Sequence, residues 1–354
     1  MQSYYILANL TKSQLSLIFS LPTVNVATSG LVFGFLISVT ILVTLLSLSG
    51  YVGKTNHFLD NTTHFKLQYL IAGILFFLFF SITHKVVGCF VSLFIIVINL
   101  LAVIPWYLYQ PKLVVESSSK QVRLFQLNVQ YNSKQYSWVI EQVRNEKPDI
   151  AVFFEITKTW ANELKVLQDK YSYFFIHLEP YHIQPPLWYL EETTTDIGIA
   201  IYSQLPLEKT LTENLGGGRK TIVTQVQFQE QLFFLFASHP SFVFRTSGFE
   251  LRNKQLSEIA HYVKKLNKPV IVIGDLNTTM WSAYYKDFVC QTELRNSRNG
   301  FGILPSFSLV KSLATAIPLL SNPQNIFSIL PSFPTDIPID HCLVSREIGV
   351  VNAR

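Results

Sequence analysis

The chain has 354 residues, of which 49% are hydrophobic and only 14% are charged. A typical soluble domain carries about 25% charged residues, so this composition argues against a wholly soluble protein. Residues 1–110 contain four of the 28 basic residues and one of the 23 acidic ones, which leaves 24 basic and 22 acidic residues in the rest of the chain. That remainder has a net charge of +2, so charge alone does not indicate a nucleic-acid-binding domain.

Three apolar stretches near the N-terminus are long enough to cross a bilayer, which takes about 20 mostly apolar residues. They cover residues 31–50, 67–84 and 86–109. A buried core in a soluble helical protein is the alternative interpretation. Three such runs in succession favour a transmembrane region over residues 1–110.

Three spans would place the N-terminus and the C-terminal part of the chain on opposite sides of the membrane. With the C-terminal part inside, four lysines (Lys54, Lys66, Lys112, Lys120) would flank the spans in the cytoplasm and two (Lys12, Lys85) outside. This is a weak preference, and it leaves the side open. We predict a multi-pass protein of the cell membrane, in contact with the lipid bilayer. No protein partner can be inferred.

From residue 111 to 354, short β-rich runs alternate with turn signals, which is typical of an α/β or α+β domain. Strands are predicted over residues 122–129, 149–156, 197–203, 221–228, 232–239, 269–277 and 339–345. Helices are predicted over residues 134–146 and 248–266, where apolar side chains recur at helical spacing.

Polar side chains stand at or near the C-terminal ends of four of these strands. They are Asn128, Glu155, His239, Asp275 and Asn277. Any one of them alone would read as an ordinary turn residue. Four strands with the same feature predict that the side chains converge on one edge of the sheets. Carboxylate and amide oxygens suit Mg²⁺ or Mn²⁺, which keep waters for a phosphate substrate.

Several motifs in residues 120–345 resemble the endonuclease/exonuclease/phosphatase superfamily and occur in that family's order. The most specific is "GDLNTTMWS" at residues 274–282, which is close to the family's Gly-Asp-x-Asn signature. The others are "LNV" at 127–129, "FFEI" at 153–156, "DIGIAIYSQLPL" at 196–207, "SHP" at 238–240, "RNKQL" at 252–256 and "IPIDHCLVS" at 337–345. The resemblance implies an α+β fold of the deoxyribonuclease-I type, a four-layer α/β/β/α sandwich. Here it would be preceded by an all-α transmembrane region of three helices.

The resemblance also implies a role for each residue at a strand end. Glu155 is expected to bind the divalent metal, helped by Asn128. Asp275 is expected to orient or deprotonate the attacking water, while Asn277 and His239 hold the phosphate. Three further residues are candidate substrate contacts: Arg219, Arg252 and His341.

One motif of the family is missing. Asp340 resembles an aspartate that in the family orients a catalytic histidine from a later Ser-Asp-His motif. No such motif follows Ser345 before the sequence ends at Arg354. We therefore expect either a chain that is shortened relative to the family or another group in place of this histidine.

Three functions are compatible with these features. The first is a membrane-anchored, divalent-metal-dependent phosphoesterase that hydrolyses a phosphodiester, a phosphomonoester or a lipid-linked phosphate. The second is a metal-dependent nuclease on DNA or RNA, for which binding would be strongly salt-dependent. The third is a catalytically weakened scaffold or binding module in the membrane.

Overall fold

A computed structural model describes residues 26–108, 121–183, 193–243, 246–308 and 336–354. Its first part is helical. In chain order the α-helices are α1 (Val26–Ser49), α2 (His57–Thr62), α3 (Lys66–Ile82) and α4 (Val86–Val103). Short 3₁₀ turns cover Gly50–Thr55, Thr63–Phe65 and Ile104–Trp106.

Three of these helical stretches are long and apolar enough to cross a membrane: Gly30–Thr55, His57–Ile82 and Val86–Trp106. The three predicted apolar helices are thereby confirmed, although the end of the third predicted span, residue 109, lies outside the described residues. Their outward side chains are strongly exposed, for example Leu31 at 77% and Phe90 at 69%. Helices α3 and α4 pack closely, since a Cβ at Gly88 would lie only 2.3 Å from the Phe80 ring.

Two β-sheets form most of the second part. The first has the strand order β1-β2-β4-β3, with β1 Leu124–Asn128, β2 Ile150–Ile156, β3 Tyr173–Ile183 and β4 Thr193–Ser203. The second has the order β5-β6-β7-β8-β12-β9. Its strands are β5 Leu207–Glu213, β6 Thr221–Phe228, β7 Gln231–Ala237, β8 Val270–Asp275, β9 Arg295–Asn296 and β12 Asp340–Val344. A two-stranded ribbon pairs β10 (Phe307–Ser308) with β11 (Asp336–Ile337).

Four further α-helices flank the sheets: α5 (Tyr136–Glu146), α6 (Lys158–Glu163), α7 (Thr246–Val263) and α8 (Ala283–Thr292). The side chains of β2 contribute to two different cores, because consecutive residues of a strand face opposite sides of the sheet. Phe154 packs in the core between the two sheets, whereas Phe153 packs with Trp160 and the helices on the outer face. The second sheet is covered on its outer face by α7 and α8. These layers confirm the predicted α/β/β/α sandwich.

The apolar helices also contribute to a core of the sandwich. Leu67 and Leu70 of α3 and Val103 of α4 lie in the same buried cluster as Trp281 and Tyr285. The indole Nε1–H of Trp281 donates to the carbonyl of Ala102 at 2.9 Å. The two parts of the chain are therefore packed together. The predicted boundary at residues 110–111 lies outside the described residues.

All seven predicted strands are present, but two longer strands, β3 and β5, were not predicted. Both lie at the edge of a sheet and pair with one neighbour. Strand β3 contains Pro180, which a strand tolerates at an edge because one side of its backbone needs no partner there. Strand β5 reads "LEKTLTE", a polar run without strong β propensity. Helices α6 and α8 were also missed, since they have only 6 and 10 residues.

Candidate active site

The sandwich brings the strand-end residues to one edge. Strands β1 and β2 are parallel neighbours in the first sheet, and β7 and β8 are parallel neighbours in the second. The carboxyl ends of each pair therefore face the same way. Strand β12 runs antiparallel to β8, so Asp340 at its start lies directly opposite Asp275 at the end of β8.

Asn128 joins the two sheets at this edge. Its Nδ2 donates to Oε1 of Glu155 at 2.9 Å and to Oδ2 of Asp275 at 3.1 Å. One amide nitrogen thus binds two carboxylates that come from different sheets. Because Oε1 of Glu155 and Oδ2 of Asp275 both accept from this nitrogen, the two oxygens lie close to each other. Glu155 and Asp275 are close enough to act on one phosphate group and one hydrated ion.

Glu155 adopts an uncommon backbone conformation. Its φ is +59°, and the register of β2 against β4 shifts between Phe154 and Ile156. A β-bulge of this kind turns a side chain away from its regular position. The carboxylate accepts a further hydrogen bond from the backbone N–H of Tyr131 at 3.3 Å. A side chain other than glycine at positive φ costs about 1–3 kcal/mol and is often found at functional sites.

His239 faces both carboxylates. Its Nε2 lies 3.8 Å from Oε1 of Glu155 and 3.8 Å from Oδ2 of Asp275. On the other side of the ring, Nη1 of Arg219 lies 2.7 Å from Nδ1. A guanidinium only donates, so Nδ1 accepts and Nε2 carries the proton. Burial, and then the charge of Arg219, lower the pKa of His239 well below its ordinary value. The neutral ring therefore presents an N–H donor to the site.

Asp275 and Asp340 form a buried pair of carboxyls. The Asp275 oxygens accept hydrogen bonds from Asn128 and from the backbone N–H of Asn277, the latter at 3.0 Å. Burial, then the neighbouring Asp340, raise the pKa of Asp275 well above its ordinary value. The pKa of Asp340 is also raised, first by burial. Oδ1 of Asp340 is buried and has no hydrogen-bond partner in the described part of the chain.

Among family profiles, that of the Endonuclease/Exonuclease/phosphatase family matches residues 125–354, well over half of the chain. The chain belongs to this family. None of the curated proteins matches the sequence.

Solved structures similar to this chain include the following three. An endonuclease/exonuclease/phosphatase from Beutenbergia cavernae DSM 12333 shares 14% identity with a TM-score of 0.46, and the match covers 64% of this chain and 64% of that one. The human Nocturnin catalytic domain with bound sulfate shares 15% identity with a TM-score of 0.46, covering 64% and 82%. A beta toxin mutant from Staphylococcus aureus with bound magnesium ions shares 16% identity with a TM-score of 0.45, covering 64% and 84%. This chain therefore matches less than two thirds of the length of the Beutenbergia protein.

The oxygen-rich edge fits a hard divalent cation of the kind expected for the family. Three carboxylates and one amide lie together, two of the carboxyls have raised pKa values, and Asp340 Oδ1 has no donor among the described residues. Within the same residues, no group of three or more His, Cys, Asp or Glu side chains is placed so that it could hold a metal ion. Mg²⁺ does not require one, since it commonly binds one or two carboxylates and keeps several waters.

Of the three candidate substrate contacts, only Arg219 lies at this edge. Its guanidinium stacks 4.1 Å above the ring of Tyr181, beside His239. Arg252 is completely buried and donates to Asp60 and to the carbonyl of Asn277, so the predicted substrate contact is wrong. Its guanidinium is occupied inside the protein.

His341 requires the same correction. It is completely buried, with Nε2 donating to the Thr278 carbonyl at 2.8 Å and Nδ1 accepting from Asn296 at 3.0 Å. On a strand its side chain points to the face opposite that of Asp340. His341 supports the loop that follows β8, and no part of its ring is free for a substrate.

Two buried residues that support the site were not predicted as site residues from the sequence. Gln255 donates to the Arg219 carbonyl and to the hydroxyls of Thr221 and Ser238, each at 3.1 Å. Asp60 binds Arg252 from the helical part of the chain at 2.6 Å. A signal for Asp60 was present, because it is the single acidic residue of residues 1–110, and an ionisable residue in an apolar region is often functional.

Replacing Gly274 by Ala is expected to destabilise the protein by about 2–4 kcal/mol. Gly274 precedes Asp275 and has a φ of +156°, and an added Cβ would lie 1.8 Å from the backbone oxygen of Ser238. Strands β7 and β8 would have to separate next to His239. Thermal unfolding in detergent measures the loss. Gly34→Ala is the matched control, because no atom of the described residues outside the adjoining turns of its own helix lies within 4 Å of a Cβ there. Equal melting temperatures for the two variants would contradict the prediction.

Proposed function

We propose that the chain is a membrane-anchored, divalent-metal-dependent phosphoesterase. The observation that carries this proposal is the hydrogen bonding of Glu155 and Asp275, from two different sheets, to the one Asn128 nitrogen. Such an arrangement gathers acceptor oxygens where a phosphate and a cation can be bound together. The substrate class is a phosphodiester, a phosphomonoester or a lipid-linked phosphate.

In this proposal Glu155 and Asn128 hold Mg²⁺ or Mn²⁺ through their oxygens. When bound, the ion supplies positive charge next to the phosphate and lowers the cost of the negative charge that develops in hydrolysis. Asp275, His239 and Asn277 would act on the water and the phosphate. Asp275 accepts a hydrogen bond from the attacking water and takes its proton as the new P–O bond forms. The P–O bond to the leaving group breaks, and the leaving oxygen takes a proton from solvent. The Nε2–H of His239 donates to a phosphate oxygen. The side-chain amide of Asn277, already oriented by a 2.9 Å hydrogen bond to the Pro240 carbonyl, donates its second N–H to the phosphate.

The apolar helices support a substrate at the membrane surface. The loop after β8 contacts the ends of these helices through Trp281 and Ala102, and through Thr279 and His64, whose Oγ1 and Nδ1 lie 3.0 Å apart. If the three helices span the bilayer, this loop lies near the headgroups. A lipid-linked phosphate then reaches the site without leaving the membrane. The net charge of +2 after residue 110 does not favour a long polyanion.

Full-length protein in lipid nanodiscs should hydrolyse at least one phosphate ester only when a divalent cation is present. The test panel is a generic phosphodiester, a phosphomonoester, a polyprenyl pyrophosphate and plasmid DNA. Treatment with EDTA should abolish turnover, and Mg²⁺ or Mn²⁺ added in excess should restore it, because the phosphate and the carboxylates repel each other without a cation.

Two results would change the conclusion. Turnover of plasmid DNA alone, with binding that weakens steeply as salt is raised, would make the chain a nuclease. No metal-dependent turnover on any member of the panel would overturn the enzymatic proposal and favour a scaffold.

A further inference from the structure

The segment between α1 and α3, residues 50–65, carries a buried acid outside the site described above. Asp60 lies on α2 and has no solvent exposure. The chain is tightly folded around it, because a Cβ on Gly53 would lie 3.0 Å from the Asp60 Cα. A carboxylate is costly to bury unless it is paired and hydrogen-bonded. We call residues 50–65 the inter-helix segment.

Both oxygens of Asp60 bind residues of the sandwich. Oδ2 lies 2.6 Å from Nη2 of Arg252 on α7, and this ion pair is fully buried on both sides. Oδ1 accepts a 2.7 Å hydrogen bond from the hydroxyl of Ser282. Ser282 is the N-cap of α8 and ends the active-site loop, residues 276–282. Asp60 therefore ties one end of this loop to the inter-helix segment.

The contact continues from Arg252 to the catalytic edge. Nη1 of the same guanidinium donates to the carbonyl of Asn277 at 3.0 Å. Asn277 has a φ of +49°, in the left-handed region that asparagine adopts more readily than most residues. Its backbone N–H donates to Asp275. An unbroken line of hydrogen bonds thus runs from Asp60 through Arg252 and Asn277 to Asp275.

A buried ion pair can serve the fold alone, and its net contribution to stability is then often small. This one differs because the cation also holds the backbone of a residue in the site. We infer that Asp60 is a positioning residue of the active site, which fixes Asn277 through Arg252 and links the inter-helix segment to the chemistry. The activity part of this inference rests on the proposed function, whereas the effect on the loop does not.

The test compares wild-type protein with Asp60→Asn in full-length form in lipid nanodiscs. Hydrogen–deuterium exchange, measured by mass spectrometry, should become at least about tenfold faster in residues 276–282. Exchange in β2 and β6 should stay unchanged. In the phosphoesterase assay, kcat should fall by about tenfold with little change in KM, because the substrate-binding edge is present but Asn277 is less well held.

The control is Asp287→Asn. Asp287 pairs with Lys54 at 2.5 Å and so also joins the inter-helix segment to α8, but both side chains are about half exposed. Surface pairs of this kind contribute little. Loop exchange and kcat should match the wild type in this variant.

If the Asp60→Asn protein does not fold, the Arg252→Lys variant can be used to test the same inference. A lysine can pair with Asp60, but its compact ammonium lacks the planar fork that reaches Asp60 and the Asn277 carbonyl together. Loop exchange should rise and kcat should fall in this variant too. Unchanged exchange rates in residues 276–282 of the folded variants would overturn the inference. It would also be overturned if exchange became faster by the same factor in all strands and the melting temperature fell, because the effect would then be a general loss of stability. If the wild type is inactive on every substrate, the proposed function fails, and loop exchange still decides the role of Asp60.

Discussion

Replacing Glu155 by Gln is expected to lower kcat/KM by about 10³-fold, which corresponds to roughly 4 kcal/mol of transition-state stabilisation. The substitution keeps the size of the side chain and one acceptor oxygen, but it removes the negative charge that a divalent cation needs. Excess Mg²⁺ should restore part of the rate, because the variant binds the ion more weakly. The measurement is initial rate against Mg²⁺ concentration for both proteins.

Glu293→Gln provides the matched control for this experiment. Glu293 pairs with Arg346 on the surface at 3.4 Å, where the glutamate is 66% exposed. The same chemical change there should leave the rate and its Mg²⁺ dependence unaltered. A Glu155→Gln protein with wild-type rates at every Mg²⁺ concentration would exclude Glu155 as a metal ligand.

Replacing Asp275 by Asn is expected to lower kcat by about 10³-fold while the Mg²⁺ dependence stays close to that of the wild type. Loss of a general base costs typically 10²–10⁴-fold, and the amide cannot take a proton from water. This outcome separates the role of Asp275 from that of Glu155, whose loss shifts the metal dependence. The measurement is again kcat over a range of Mg²⁺ concentrations.

The stability of this variant should change little, for two opposing reasons. Asn128 and the backbone of Asn277 donate to the two Asp275 oxygens, and an amide offers only one oxygen, so one donor loses its acceptor. Such a loss costs about 1–3 kcal/mol. Removing one of two adjacent buried carboxyls relieves their repulsion, which adds to the effect of burial in raising the pKa of Asp275 in the wild type.

Asp169→Asn, at an exposed aspartate that pairs loosely with Arg144 at 3.5 Å, controls for the loss of one negative charge. If the Asp275→Asn protein also has a much lower melting temperature than the wild type, the fall in kcat would be assigned to loss of folded protein. A wild-type kcat in a folded Asp275→Asn protein would rule out this carboxylate as the base.

Part of the site could be predicted because its residues are marked by local context. Each of Asn128, Glu155 and Asp275 lies at or next to the end of an apolar β run, where a buried polar side chain needs a partner. Their convergence follows from the direction of neighbouring strands. Arg252 has no such mark. It lies in an amphipathic helix among other polar residues, so the sequence left its side chain equally free to face a substrate or the interior.

The sequence by itself determined the elements of this protein: the three apolar helices, the seven apolar strands and the polar groups that end them. Hydropathy and turn chemistry are properties of consecutive residues, so they can be read along the chain. Only the tertiary structure decided that Arg252 faces Asp60, which lies 192 positions away, and that His341 faces inward. The partner of a buried charge is the residue that tertiary packing places next to it. A local sequence pattern does not show which distant residue that will be.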